Sequence, residues 1–170
     1  GSFSVQSGTP GVPLQIGIDW SGWNESHLQD MDVLYATSGY YATRTGAVAT
    51  FFNMFVHTRA TSCSIGLNMD AASGFSLNAN TFYDMHAIDT TAIMVSGLVI
   101  SGVGSTFYRA YSGSASSNGV LFGLDANRVA IFGLYVESNP TIGVNYGAVG
   151  AGRKSSIYNI HFDGTPGQQF

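Results

Sequence analysis

The chain repeats one outline. It reads "TFFNMFVH" at 50–57, "TFYDMHAI" at 81–88, "TFYRAYSG" at 106–113, "AIFGLYVE" at 130–137 and "SIYNIHFD" at 156–163, with a weaker relative, "HLQDMDVL", at 27–34. Numbered from its first apolar residue, position 1 is Leu28, Phe51, Phe82, Phe107, Ile131 and Ile157. Position 3 is Asp30, Asn53, Asp84, Arg109, Gly133 and Asn159, and position 4 is Met31, Met54, Met85, Ala110, Leu134 and Ile160. The spacings are 23, 31, 25, 24 and 26 residues. A recurrence in this range is the signature of stacked repeats, in which each unit buries its apolar face only against its neighbours.

Within a unit the apolar residues alternate, as Val129, Ile131 and then Leu134, Val136 in "RVAIFGLYV". That is the strand period, and its phase slips by one at Gly133. A slip at Asn, Asp or Gly marks a bend, because these residues tolerate left-handed backbone angles. A second column, Gly followed by an apolar residue, interleaves with the first at Gly17, Gly66, Gly97, Gly119 and Gly143, with Gly46 a poor member. "SGLVISG" at 96–102 fits either column, which leaves the register open between residues 90 and 102. The mildly helical window "WNESHLQDMDVL" also fits the repeat.

The expected fold is all-β: a right-handed parallel β-helix, or solenoid, of about six coils stacked at roughly 4.8 Å. A β-sandwich or a β-barrel is the alternative. Positions 1, 4 and 6 (Val33, Val56, Ala87, Ser112, Val136, Phe162) point inward.

Composition narrows the classes. The 170 residues are enough for one domain with a sizeable core. Only 9% are charged, with 6 Lys and Arg against 10 Asp and Glu. Basic residues this sparse make no nucleic-acid surface. Cys63 stands alone, which excludes an internal disulfide and reads as a small buried apolar residue. No run of 18 apolar residues predicts membrane insertion, and no signal peptide is visible. Residues 1–2 read as an expression scar and residues 3–170 as a single domain, a fragment of a longer chain. No phosphate loop and no shared histidine spacing point to a nucleotide or metal, so no cofactor is expected.

"NRVAIFGLYVESN" and "NTFYDMHAI…TTAIMVSGLVISG" resemble rungs of right-handed parallel β-helices of the pectate-lyase type, and the likeness runs from about Ile16 to Phe162. Within that family the charge-poor, aromatic-rich version looks most like bacteriophage tailspikes and tail fibres. The resemblance implies a homotrimer at the virion tail, outside the cell, that binds and in many cases cuts bacterial surface polysaccharide. The alternatives are a polysaccharide lyase or glycoside hydrolase of the same fold, and a fibre spacer without a ligand. The calcium-binding Asp clusters and catalytic Arg of the secreted lyases have no counterpart here.

The position 5 column (Asp32, Phe55, His86, Tyr111, Tyr135, His161) is expected outside. An outward strip of rings serves a trimer contact, a platform for sugars, or a surface covered by the chain itself. Position 2 (Gln29, Phe52, Tyr83, Tyr108, Phe132, Tyr158) flanks the bend, and its rings read as a structural stack. Trp20 and Trp23, beside Asn24, Glu25 and His27, are candidate sugar-binding residues, or Trp20 caps the coil end. Glycoside hydrolysis needs paired carboxyl groups. Glu137 and Asp163, both at position 7 in adjacent coils, are the candidate catalytic pair, with Tyr111 and Tyr135 as sugar-binding neighbours. Asp30 with Asp32, and Asp84 with Asp89 around His86, are the other pairs. A bend hydrogen-bonder or a solvated charge is the competing reading for each.

Overall fold

Among the described residues every strand pairing is parallel, and strands pair with others about one repeat away. The computed structural model describes residues 3–6, 14–43, 50–70, 77–89, 94–123, 126–137, 141–147 and 154–164. Over these residues the chain is a β-solenoid of about five turns with no helix, which excludes the sandwich and barrel alternatives. The six copies of the outline bound the five full turns.

Each turn has three sides. The longest carries the repeat as Met54–Thr61, Thr81–Ile88, Thr106–Gly113, Ala130–Glu137 and Ser156–Asp163, preceded by Phe3–Gln6 and by the broken pair His27–Gln29 and Met31–Leu34. The second side stacks Leu14–Asp19, Ala36–Thr43, Ile65–Asp70, Ser96–Ile100, Asn118–Phe122 and Ile142–Asn145. The third is short: Thr50–Phe51 on Leu77–Asn78, extended by single bridges through Asn24, Val103 and Asn127.

The corners are single left-handed residues. Asp30, His57, Asp84, Arg109, Gly133 and Asn159 all have φ between 49° and 78° and bend the long strand at its third position. A second corner column runs through Glu25, Phe52, Ala79, Gly104, Arg128 and Lys154, and a third holds Tyr35, Ser62 and Ser114. One such residue turns a parallel strand without a loop, so successive rungs stay in register.

The second coil corrects the sequence register. Phe82 pairs with Phe55 and Phe55 with Leu28, so position 1 there is Phe55, not Phe51. The spacings become 27, 27, 25, 24 and 26, and the second-coil members of positions 2 to 6 become Val56, His57, Thr58, Arg59 and Ala60. Phe52 belongs to a different corner. Asn53 is no bend but a buried ladder rung. Its Oδ1 accepts from Ser26 N at 3.0 Å, and its backbone N and Nδ2 both donate to Asn80 Oδ1, at 3.1 and 3.0 Å.

Inside, Phe55, Phe82 and Phe107 stack face to face at 4.7 and 4.5 Å, and Ile131 and Leu134 continue the core. The glycine column lines the second side, with Gly39 as the member where the sequence offered Gly46, which lies outside the described residues. A Cβ on Gly39 would stand 2.6 Å from Ala60 Cβ and 2.7 Å from Gly66 O. The column is glycine because the position 6 residues of the long side press against it. Cys63 is buried and free.

Candidate functional site

The third-position bend separates two outward columns of rings. On its N-terminal side Tyr83, Tyr108, Phe132 and Tyr158 stack at 4.9, 5.3 and 4.9 Å, each with 38–49% of its surface exposed. On its C-terminal side the position 5 column runs Asp32, Arg59, His86, Tyr111, Tyr135, His161. Here Tyr111 stacks on Tyr135 at 5.3 Å with 8° between the planes, and Tyr135 on His161 at 4.8 Å. The parallel register brings the rings to this spacing, since each rung sets its side chain about 4.8 Å above the last.

The same face changes character along the solenoid. Its first turns are charged: Arg59 binds Asp32 through two nitrogens, at 3.1 and 2.6 Å, and Thr61 donates to the other Asp32 oxygen at 3.0 Å. His57 lies 3.2 Å from Asp30, and His86 lies 3.1 Å from Asp84. These groups line a cleft of about 240 Å³. Arg59 and His57 went unrecognised in the sequence because the second-coil register hid their columns. The uneven spacings of 23 and 31, whose mean is 27, were the available signal.

Further along, carboxylates give way to rings around a cavity of about 360 Å³. Gly133 forms its floor, Arg109 and Asn159 flank it on the rungs either side, and Tyr111, Tyr135 and His161 form the far wall. The Arg109 Nε stands 3.6 Å from Asp84, longer than a hydrogen bond, with its side chain 72% exposed.

Four of the sequence candidates share this face. Tyr111 pairs in register with Tyr135, and Glu137, two residues beyond Tyr135, pairs with Asp163, two residues beyond His161. Tyr135 Oη donates to Asp163 Oδ2 at 2.8 Å. That bond holds the phenol's pKa above its ordinary value, because ionisation would remove the proton the carboxylate accepts. Gly113, the position 7 residue between them and the charged end, is where the Tyr111 ring rests: a Cβ there would meet Tyr111 Cε1 at 2.7 Å.

The tryptophans lie elsewhere. Trp20 is wholly buried, edge-on to Phe55 at 4.8 Å and Phe82 at 6.0 Å, so its indole is not presented to a sugar. Trp23 is half-buried against the same core, and its carbonyl accepts from Asn53 Nδ2 at 2.8 Å. Asp89 does not flank His86: it is buried, and its Oδ2 accepts from Met94 N at 2.6 Å. Among the described residues no three His, Cys, Asp or Glu side chains stand together as a metal site, and no helix is long and apolar enough to cross a membrane.

Comparison of the chain with protein-family models, with curated proteins and with solved structures gives no match.

Proposed function

We propose that this chain is a glycan-binding domain of a bacteriophage tailspike or tail fibre, carried on the virion tail as a homotrimer and recognising bacterial surface polysaccharide. The observation that carries the reading is the stacked pair Tyr111 and Tyr135 with Glu137 and Asp163 on the same outward face. Flat rings at the rung spacing offer an apolar bed for the C–H faces of a pyranose, and the carboxylates beside them accept hydrogen bonds from its hydroxyls. The phage setting rests on the resemblance of the repeat to tailspike rungs and on a sequence in which only 9% of residues are charged.

A polysaccharide-cleaving enzyme is the second reading, and the register of Glu137 with Asp163 favours it. Their backbones stand one strand spacing of about 4.8 Å apart, from which the two side chains can set their carboxyl groups at the roughly 5–5.5 Å that a retaining glycosidase uses. Asp163, fixed by Tyr135, would be the nucleophile and Glu137 the acid and base.

Incubation with capsule and O-antigen polysaccharides tests both. Binding without shortened products supports the recognition domain, reducing ends or unsaturated products support the enzyme, and neither leaves a fibre spacer. Tyr135→Ala and Glu137→Gln are each expected to weaken binding roughly tenfold while the oligomer persists. Normal binding by both variants, or dissociation of both into monomers, would remove this face as the site.

A further inference from the structure

Gly133, at φ 78°, is the most open of the left-handed bends of its column and the one without a side chain. The other bend residues of its column, Asp30, His57, Asp84, Arg109 and Asn159, hold left-handed backbones with φ of 49–61° and carry side chains. Packing does not demand a glycine there. A Cβ on Gly133 would meet only the Arg109 backbone, at 3.9 and 4.0 Å, which is ordinary contact. What the glycine supplies is a gap in a continuous outward column, two strand spacings or about 9.6 Å between the Arg109 and Asn159 rungs. That gap is the floor of the 360 Å³ cavity.

The groups around the gap share a polarity. Its lining holds one guanidinium, two imidazoles, an amide and two phenols, with no carboxylate. Among the described residues the Arg109 terminal amino groups make no hydrogen bond, and the one ion pair of this side chain is the long contact of Nε to Asp84. His86 faces Asp84 through Nε2 and Tyr135 is turned to Asp163, and neither these acids nor Glu137 line the cavity. In a chain of net charge −4 with 6 Lys and Arg, a cation at the lip of a ring-walled notch is a selective feature. The fork of an arginine matches a carboxylate, and the stacked phenols match a sugar face.

We infer that the notch over Gly133 is a subsite for an acidic sugar residue, its ring seated against Tyr111 and Tyr135 and its carboxylate paired with Arg109. The inference rests on the glycan-binding reading and adds the class of sugar and the residue that admits it.

The test compares wild type, Gly133→Asn and Arg109→Gln, with oligogalacturonate, oligomannuronate and oligosialate as acidic probes and dextran and mannan oligomers as neutral ones. Gly133→Asn installs the residue that the next rung holds at this bend, and asparagine is among the side-chain residues that best accept a left-handed backbone, so the gap is filled at the smallest strain. Arg109→Gln keeps the length of the stem and removes the charge. The expected result is binding of at least one acidic oligomer, weakened roughly ten- to hundredfold by each substitution and by added salt, with both variants still unfolding cooperatively and Arg109→Gln at the wild-type temperature. Neutral oligomers bound as tightly as acidic ones would overturn the acidic subsite and leave glycan recognition standing. Acidic binding that survives both substitutions would overturn the notch as its location. Should Gly133→Asn fail to fold, Arg109→Gln decides alone. No binding to any probe would remove the glycan reading and this inference together.

Discussion

Gly97 and Gly133 are both glycines for reasons of space, and the reasons are opposite. At Gly97 a Cβ would run into the Ser112 side chain and stand 2.8 Å from Gly119 O, and that oxygen belongs to a neighbouring strand that cannot move alone. Gly97→Ala is therefore expected to cost about 2 kcal/mol and lower the unfolding temperature by roughly 4–8 °C, while Gly133→Asn, which meets no close neighbour and carries only the strain of its left-handed backbone, lowers it less. Thermal unfolding of both variants checks the order, and the reverse order would contradict the packing of the glycine column. Cys63 makes a second residue-scale prediction. Burial raises its pKa from 9.0 to about 11. Below pH 9 the thiol is protonated in both states and costs nothing. Between pH 9 and about 11 the unfolded chain loses this proton and the folded chain keeps it, so stability falls as pH rises, by roughly 2–3 kcal/mol across the window. Tyr40, buried and donating to Met31 O at 2.8 Å, has its phenol pushed up by burial first and extends the loss upward. Denaturant titrations across this window, on wild type and Cys63→Ala, measure the share due to the thiol, and an identical pH dependence in the two would contradict it.

At the scale of the strand, the bend column shows what a sequence reveals and what it conceals. Asp, Gly and Asn at Asp30, Asp84, Gly133 and Asn159 announce a left-handed residue, and the alternation on either side announces the strand. His57 and Arg109 hold the same backbone, with φ of 49° and 58°, although their side chains do not advertise it. Position in the stack decides there, not intrinsic preference, because rungs above and below impose the geometry. The second coil misled for a related reason: "TFFNMFVH" carries an Asn after an aromatic pair, but that Asn serves another purpose. Asn53 and Asn80 face inward at the corner before the strand and use side chains to satisfy backbone groups that no sheet ladder reaches. A long-range hydrogen bond of this kind leaves no periodic trace. It does have an energetic one. Asn80→Ala removes the oxygen that accepts two bonds from Asn53 and leaves a buried N–H unpaired, an expected loss of about 2 kcal/mol in chemical unfolding. A change below about 0.5 kcal/mol would mean that the Asn53 groups find other partners.

Across the whole molecule, columns make the fold legible, since identical positions stack only in a solenoid, whereas assembly has no such internal signature. The expectation of a trimer was attached to the position 5 column. The geometry offers a better surface for it in the position 2 ladder: Tyr83, Tyr108, Phe132 and Tyr158 are more open, and no charged side chain interrupts the run. An apolar strip this regular is uncommon on a free surface. Whatever covers it must present groups at the same pitch of about 4.8 Å, and a second copy of this chain lying parallel alongside has that pitch by construction. Three copies around an axis parallel to the solenoid would each bring the same ladder inward at the same height, leaving the Tyr111 and Tyr135 face, across the bend, open to ligand. The double variant Tyr108→Ser with Phe132→Ser is thus expected to convert a particle of three 17.9 kDa chains into monomers by light scattering, while Tyr135→Ala stays assembled. A wild type that scatters as a single chain across a concentration series, or a double variant that remains trimeric, would rule out this ladder as the contact.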